Sequence, residues 1–502
     1  MSLHRPYETR LIAFAIAAAL TVTGPAIAQT PTRPTPTSLA SQTLPPESVT
    51  SHRVTIGGRA YEFRARAGAT PLIDAAKGTP LAEIAYVSFE LEGADPSRRP
   101  IVFALNGGPG AGAAWLALGG LGPWRIRMDG DALAPSASPD LLENQESWLP
   151  FADLVFVDPP DSGYSKITAT DGDVGKQFSS IGGDIDTLAV FIRKWLATHD
   201  RLGSPKFIAG ESYGGFRAPR LARRLAEREN IGVRGLLLIS PALDLSYEDS
   251  RSPLAFAVRL PSFAAVARGG VDRRTLQDVE TYAAGEYIVD LIKGPRDSDA
   301  LARLTQKVAV FTGLDPKLVS EMNGRVDLGA FARERGRSDK SVLSAYDGSV
   351  AGLDPDPVKR AGHHADAVVD ALRAPLGEAM SSLITGRLKW PVKEMRYEVL
   401  NGSVAARWDW GRGGRSNADS ISALRQALAL DRQFRVLVVH GTTDLVTPYF
   451  STKLALDQLP TYGDPDRLRF VVLPAGHMIY ARDEPRSALR DEARNLIDAA
   501  IR

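Results

Sequence analysis

Lys206-Phe207-Ile208-Ala209-Gly210-Glu211-Ser212-Tyr213-Gly214-Gly215-Phe216 is the stretch that decides the fold. A short apolar run enters a Gly-x-Ser-x-Gly pentapeptide, and Phe216, Leu221, Ala222 and Leu225 follow at helical spacing. Strand, tight turn, helix is the context in which that pentapeptide becomes a nucleophile elbow. Glycines let backbone segments approach where a Cβ would clash. The turn lifts the Ser212 hydroxyl above the sheet edge. The helix that starts there aims its N–H groups and positive dipole end at an oxyanion. Taken alone, the pentapeptide is equally an ordinary turn, because Gly and Ser are turn formers. The rest of the chain weighs between the two.

A serine hydroxyl is a poor nucleophile until a base takes its proton, and an acid must hold that base in one tautomer. In the α/β-hydrolase order the serine comes first, then Asp or Glu, then His. The chain has seven histidines. His4 lies in a targeting segment, His52 and His199 precede the serine, and His363 and His364 sit in a polar stretch. His477 follows the apolar run Leu468 to Leu473 in the turn Pro474-Ala475-Gly476-His477-Met478. Asp444 follows the run at 434–439, in His440-Gly441-Thr442-Thr443-Asp444. Both loops are expected to leave the same sheet edge as Ser212, where such folds carry their chemistry. Singly, Asp444 reads as a turn former and His477 as a surface residue; jointly they fit a triad. His440 is the rival base and reads as a strand-end residue packing near the site.

A further stretch, Ile101 to Leu105 followed by Asn106-Gly107-Gly108-Pro109-Gly110, decides the family. Together with the elbow and Ala475-Gly476-His477-Met478, it resembles the serine carboxypeptidase family. Asn144-Gln145-Glu146-Ser147-Trp148, the run at 153–158, Gly163-Tyr164-Ser165 and Glu484-Pro485 are similar to the same family. The likeness runs from about residue 80 to the C-terminus and is thinnest between about 250 and 430. The resemblance implies Ser212 as nucleophile, His477 as general base then acid, and Asp444 as its orienter. It implies an oxyanion hole from the Gly108 and Tyr213 amides, and Asn106, the Gly107 amide and Glu211 as the site for a peptide's C-terminal carboxylate. A Gly-Gly-Pro loop after a strand suits such a hole, since its amides carry no side chain in the way. A carboxylate beside Glu211 needs a shared proton, because two like charges repel at that range. The family's preference for acid follows from that.

The departures are specific. Gly120 stands where family members often carry an acid that bonds the glutamate beside the serine, so Glu211 is expected to lack that partner. Ala111-Gly112-Ala113 replaces Cys-Ser-Ser, Ser240-Pro241 replaces Gly-Asn, and the eukaryotic disulfides are absent. These differences imply a bacterial branch.

Lys and Arg total 60 against 59 Asp and Glu, a net charge of +1, which gives no footprint for nucleic acid or an acidic membrane surface. The mixed-sign run at 220–228 reads as a solvated helix face. With no cysteine there is neither disulfide nor Cys-based metal site, and no metal or other cofactor is implied. Arg5 and Arg10, the apolar run at 11–22 and Ala26-Ile27-Ala28 predict a signal peptide over 1–28 and a periplasmic or secreted protein. The apolar run is short for a stable membrane span, so a retained anchor is the alternative. Residues 29–47, rich in Thr and Pro, read as an extended, disordered linker.

Alternating strands at 52–56, 61–65 and 82–91, then continuously apolar ones at 101–105, 153–157 and 235–239, predict a mixed, mostly parallel sheet. Helices intervene, notably over 185–196, with Leu188, Phe191, Ile192 and Trp195 on one stripe. The fold class is α/β, an α/β-hydrolase fold with helices on both faces. Residues 48–244 and 432–502 form its core, and 245–431 a mainly helical cap that shapes the cleft. Trp408-Asp409-Trp410 is either core or cleft lining. The function expected is an exported serine-type carboxypeptidase acting on peptide or protein C-termini through an acyl-enzyme. An esterase or acyltransferase would use the same triad. A non-catalytic binding protein on a hydrolase scaffold is the alternative of another class. The adjacent pair His363-His364 is a poor metal site, since neighbours do not share a helix face.

Overall fold

Strand ends in register explain why distant loops meet. A computed structural model describes residues 43–169, 171–359 and 364–502. The signal peptide expected over 1–28, the linker as far as residue 42, and His363 lie outside the described residues. The principal strands are β1 (Ser48–Ile56), β2 (Arg59–Ile73), β3 (Pro80–Leu91), β4 (Ile101–Leu105), β5 (Asp153–Val157), β6 (Lys206–Glu211), β7 (Gly235–Ile239), β8 (Arg435–Gly441) and β9 (Leu468–Leu473). They run β1-β2-β3-β5-β4-β6-β7-β8-β9 across the sheet, with the short strand Lys166–Ile167 beside β3. The first three pairings are antiparallel and every later one is parallel.

The chemistry of the strands accounts for both covers. Parallel strands are buried on two faces, and successive side chains alternate between them. Val102 and Ala104 of β4, Phe207 and Ala209 of β6, and Leu437 and Val439 of β8 join one core. Phe103, Ile208 and Val438 join the other. The second core is closed by α1 (Ile181–Thr198), α2 (Tyr213–Arg228) and α6 (Ile421–Leu430). Leu188, Phe191, Ile192 and Trp195 of α1 are all buried in it, the stripe read from their spacing. The first core takes α5 (Val369–Ser382) and α7 (Asp483–Ile501). A third apolar cluster ties α3 (Leu260–Ala267) and α4 (Ser298–Thr312) to Leu445, Tyr449 and Phe450. Phe263 stacks on Phe331 there at 4.1 Å between centroids.

One boundary differs from expectation. Residues 43–47, placed in the disordered linker, pack against the body: Leu44 is buried, its N–H donates to Glu83, and Trp390 Nε1 donates to the carbonyls of Pro45 and Pro46. Segment 245–431 shows no break in packing from the rest, since Thr43–Arg502 is one compact unit. Its apolar residues are shared among all three cores, and it contains a small antiparallel pair, Ser341–Leu343 with Ala351–Leu353. Periodicity identified the helices there. It could not say which core each would join, since that depends on contacts far apart in sequence.

The parallel register carries the functional consequence. Leu105 pairs with Gly210, Ile239 with Glu211 and Val439, and Gly441 with Leu473. The chain therefore leaves β4, β6, β7, β8 and β9 along one sheet edge, at Asn106, Ser212, Ser240, Thr442 and Pro474.

Candidate active site

Ser212 sits at the turn between β6 and α2 with φ 58° and ψ −121°, a conformation that costs a non-glycine residue about 1–3 kcal/mol. Its backbone is held by the N–H bond to Ile239 O at 2.9 Å, and its carbonyl accepts from Gly215 and Ala242. The flanking glycines are sterically required. A Cβ on Gly210 would lie 2.2 Å from Gly214 O, and one on Gly214 would lie 2.2 Å from Leu105 O.

His477 and Asp444 meet as the chain order implied. His477 Nδ1 lies 2.8 Å from Asp444 Oδ2, and both side chains are buried. Asp444 is held in turn: Val446 N–H and Thr447 N–H donate to Oδ1, and the Thr447 hydroxyl donates to Oδ2 at 2.7 Å. The Nδ1 contact leaves Nε2 as the nitrogen able to exchange a proton with substrate. The His477 loop is fixed by its N–H to Tyr346 O and by Ser240 Oγ donating to His477 O at 2.8 Å. Burial pulls the His477 pKa down; the Asp444 charge and hydrogen bond, with Glu211 and Glu248, outweigh it and leave the pKa above the ordinary histidine value. Ser212, Glu211, Tyr213, Asn106, Gly107, Gly108 and His477 all line one cleft.

The rival base, His440, lies away from the cleft. It is fully buried, neither ring nitrogen has a hydrogen-bond partner among the described residues, and burial lowers its pKa to about 4. Trp408 and Trp410 divide the two readings of their cluster. Trp408 is buried against the Tyr213 ring, whereas Trp410 both touches that ring and lines the cleft. The segment 245–431 supplies further cleft wall through Leu245, Glu248, Tyr346, Val369, Leu400 and Arg415.

Glu211 lacks the acid that Gly120 replaces, and two other side chains take up its oxygens. The Tyr480 hydroxyl donates to Glu211 Oε1 at 2.7 Å, and Asn106 Nδ2 donates to Oε2 at 2.5 Å. The missing side chains at Gly119 and Gly120 make the room, since a Cβ there would fall 2.3 and 2.6 Å from Tyr480 atoms. Burial raises the Glu211 pKa, against the lowering effect of the His477 charge and these two donors. The other familiar stretches are braces. Asp158 accepts from Ala113 N–H, Tyr164 N–H and Tyr397 OH, and burial lifts its pKa to about 6. Asn144 Nδ2 donates to the carbonyls of Gly120 and Gly122.

With this geometry in place, similarity to known proteins can be weighed. The serine carboxypeptidase family model matches residues 79–290. Serine carboxypeptidase-like 33 of Arabidopsis thaliana is 29% identical over 187 residues, 34% of this chain and 35% of that protein. Serine carboxypeptidase-like 36 of the same plant is 23% identical over 359 residues, 70% of this chain and 63% of that protein. The chain thus spans less than two thirds of the plant carboxypeptidase-like proteins it matches. A solved structure, Kex1(delta)p, a prohormone-processing carboxypeptidase from Saccharomyces cerevisiae, superposes with a TM-score of 0.55 at 17% identity. It covers 87% of this chain and 90% of its own, and shows a shared α/β-hydrolase fold. The family-model match ends before Asp444 and His477, so their pairing rests on the geometry above. Among the described residues, no group of three or more His, Asp or Glu could hold a metal ion, and no helix is long and apolar enough to cross a membrane.

Three working parts were missed from sequence: Thr447 on Asp444, Tyr480 on Glu211, and Tyr346 with its ring 5.3 Å from that of His477. Thr447 alone had a local signal, a hydroxyl three residues after the acid.

Proposed function

We propose that this chain is an exported serine-type carboxypeptidase. The observation that carries the reading is the buried His477–Asp444 pair, whose His477 lines the cleft together with Ser212 and Glu211. His477 Nε2 takes the Ser212 proton as Oγ attacks the scissile carbonyl. The Gly108 and Tyr213 N–H groups receive the developing oxyanion, and the protonated imidazole then gives its proton to the leaving amine. Water releases the acyl group by the reverse sequence. Asn106, the Gly107 N–H and Glu211 hold the terminal carboxylate, with one proton shared between it and Glu211. The predicted signal peptide supports a periplasmic or secreted location. The cysteine-free chain and the departures at Gly120, 111–113 and Ser240-Pro241 support a bacterial branch.

Ser212→Ala should lower turnover of a blocked dipeptide by on the order of 10⁵-fold or more while leaving the circular dichroism spectrum intact. A folded variant that keeps most of its activity would overturn the assignment. A parent that cleaves free and amidated C-termini equally well would remove the carboxylate site.

The Tyr480 hydroxyl favours a second reading, an esterase or acyltransferase, because a neutral phenol replaces the acid that would share a proton with Glu211. A simple ester hydrolysed far faster than a blocked dipeptide would select it. Failure of a fluorophosphonate to label Ser212 in folded protein would instead favour a binding protein.

A further inference from the structure

Arg217 is buried one turn into α2, behind the Gly-Gly-Pro loop, with its Nε, its Nη1 and one face of its guanidinium engaged. Nε donates to Asp184 Oδ2 of α1 at 2.6 Å, and the guanidinium carbon lies 4.7 Å from the centre of the Tyr213 ring. Nη1 donates to the Asn106 carbonyl at 2.5 Å and reaches at 3.4 Å the Gly107 carbonyl, which also accepts from Ala111 N–H at 3.3 Å. Asp184 is equally buried and keeps Oδ1 without a partner. An ion pair this deep is costly to bury and contributes little net stability. Its presence calls for another explanation.

The peptide geometry supplies one. In a trans peptide the C=O and the following N–H point in opposite directions. Fixing the Asn106 carbonyl toward Arg217 turns the Gly107 N–H the other way, and fixing the Gly107 carbonyl does the same for the Gly108 N–H. Both glycines line the cleft with Ser212. Neither amide has an acceptor among the described residues. The loop is also pressed on the nucleophile, since a Cβ on Gly107 would stand 2.7 Å from Ser212 Cβ and 2.8 Å from Tyr213 N. A charged donor on the carbonyl also polarises the peptide, so the opposite N–H becomes a stronger donor.

We propose that Arg217 is a positioning residue for the Asn106–Gly108 loop: gripped by Asp184 and the Tyr213 ring, it holds the Asn106 and Gly107 carbonyls so that the Gly108 N–H faces the oxyanion position and the Gly107 N–H faces the carboxylate site beside it. It touches no substrate. This rests on the acyl-transfer reading above and names the side chain that builds that site's anion-binding half.

The test uses the full chain with Arg217→Met, Arg217→Lys, and the double variant Asp184→Asn/Arg217→Met, which leaves no buried charge unpaired. Kinetics on an ester substrate are read beside the rate of fluorophosphonate labelling, whose P=O enters the same hole. For Arg217→Met the expected result is a fall in kcat of about 10²-fold or more, the loss seen when an oxyanion donor is removed. KM should change by less than about threefold, and labelling should slow in parallel. Arg217→Lys, whose ammonium reaches the carbonyls with a different geometry, should fall between parent and Met. A folded Met or double variant with kcat within about threefold of the parent overturns the proposal, as does a loss carried wholly in KM. Should the Met variant fail to fold, the double and Lys variants decide by the same criteria. A parent that neither turns over ester nor labels defeats the acyl-transfer reading itself, which is a different outcome from an active parent matched by an active Arg217→Met.

Discussion

Tyr480→Phe isolates one hydroxyl. The ring that fills the space beside Gly119 and Gly120 remains, and only the 2.7 Å donor to Glu211 Oε1 is lost. A hydrogen bond to a charged group contributes about 1.5–3 kcal/mol, and one pKa unit is about 1.4 kcal/mol. Removing the bond should therefore raise the Glu211 pKa. The remaining neighbours act as before: burial and Asp444 push it up, His477 and Asn106 pull it down. The protonated carboxyl is the form that can share a proton with a terminal carboxylate. In the variant, the pH at which KM for a free-C-terminus dipeptide begins to climb should move upward. An ester has no terminal carboxylate and serves as the control. Its kcat profile follows His477, which is raised in part by the Glu211 charge, so a more neutral Glu211 shifts that limb slightly downward. Superimposable KM–pH curves for parent and variant on the free dipeptide would refute the argument.

Thr447→Val keeps shape but removes the hydroxyl that donates to Asp444 Oδ2; kcat should fall about tenfold with KM steady, and an unchanged kcat would count against its role. His440→Leu tests acid sensitivity. The folded pKa of about 4 lies below the ordinary value of 6.5, so the unfolded chain takes up a proton first and stability is lost as pH falls from 6.5 toward 4. That loss is about 3 kcal/mol at the acid end in the parent; urea unfolding at the two pH values should show a correspondingly smaller decline in the variant, and equal declines would exclude the cause. Gly214→Ala sets a Cβ 2.2 Å from Leu105 O and should cost about 1–3 kcal/mol in a thermal melt, with turnover lost; a neutral effect would mean the elbow is looser than described.

How much the sequence disclosed follows from the range of the interactions. The Ser212 elbow, the Asp444 turn and the His477 turn were legible because each is a local pattern just past an apolar strand, and the parallel register then brings the three strand ends to one edge. Tyr480 was not legible from Glu211, because 269 residues separate them and the only trace was a pair of glycines at 119 and 120. Arg217, just before the mixed-sign run at 220–228, carried no local signal; its burial depends on α1 meeting α2 to deliver Asp184. The segment 245–431 was readable as helices but not as a body, since Leu372 and Leu424 give no local sign of which side of the sheet they will join.

That shared packing has a mechanical corollary. A hinged lid must lift away as a unit, but this segment could do so only by drawing Leu372, Leu376 and Leu383 from one side of the sheet and Leu424 and Leu428 from the other. The entrance above Ser212 is thus a doorframe packed into the walls around it. Appetite for one substrate over another would be retuned by replacing jambs such as Trp410, Tyr346 or Leu400 singly, and excising the segment would bring down the walls with the door.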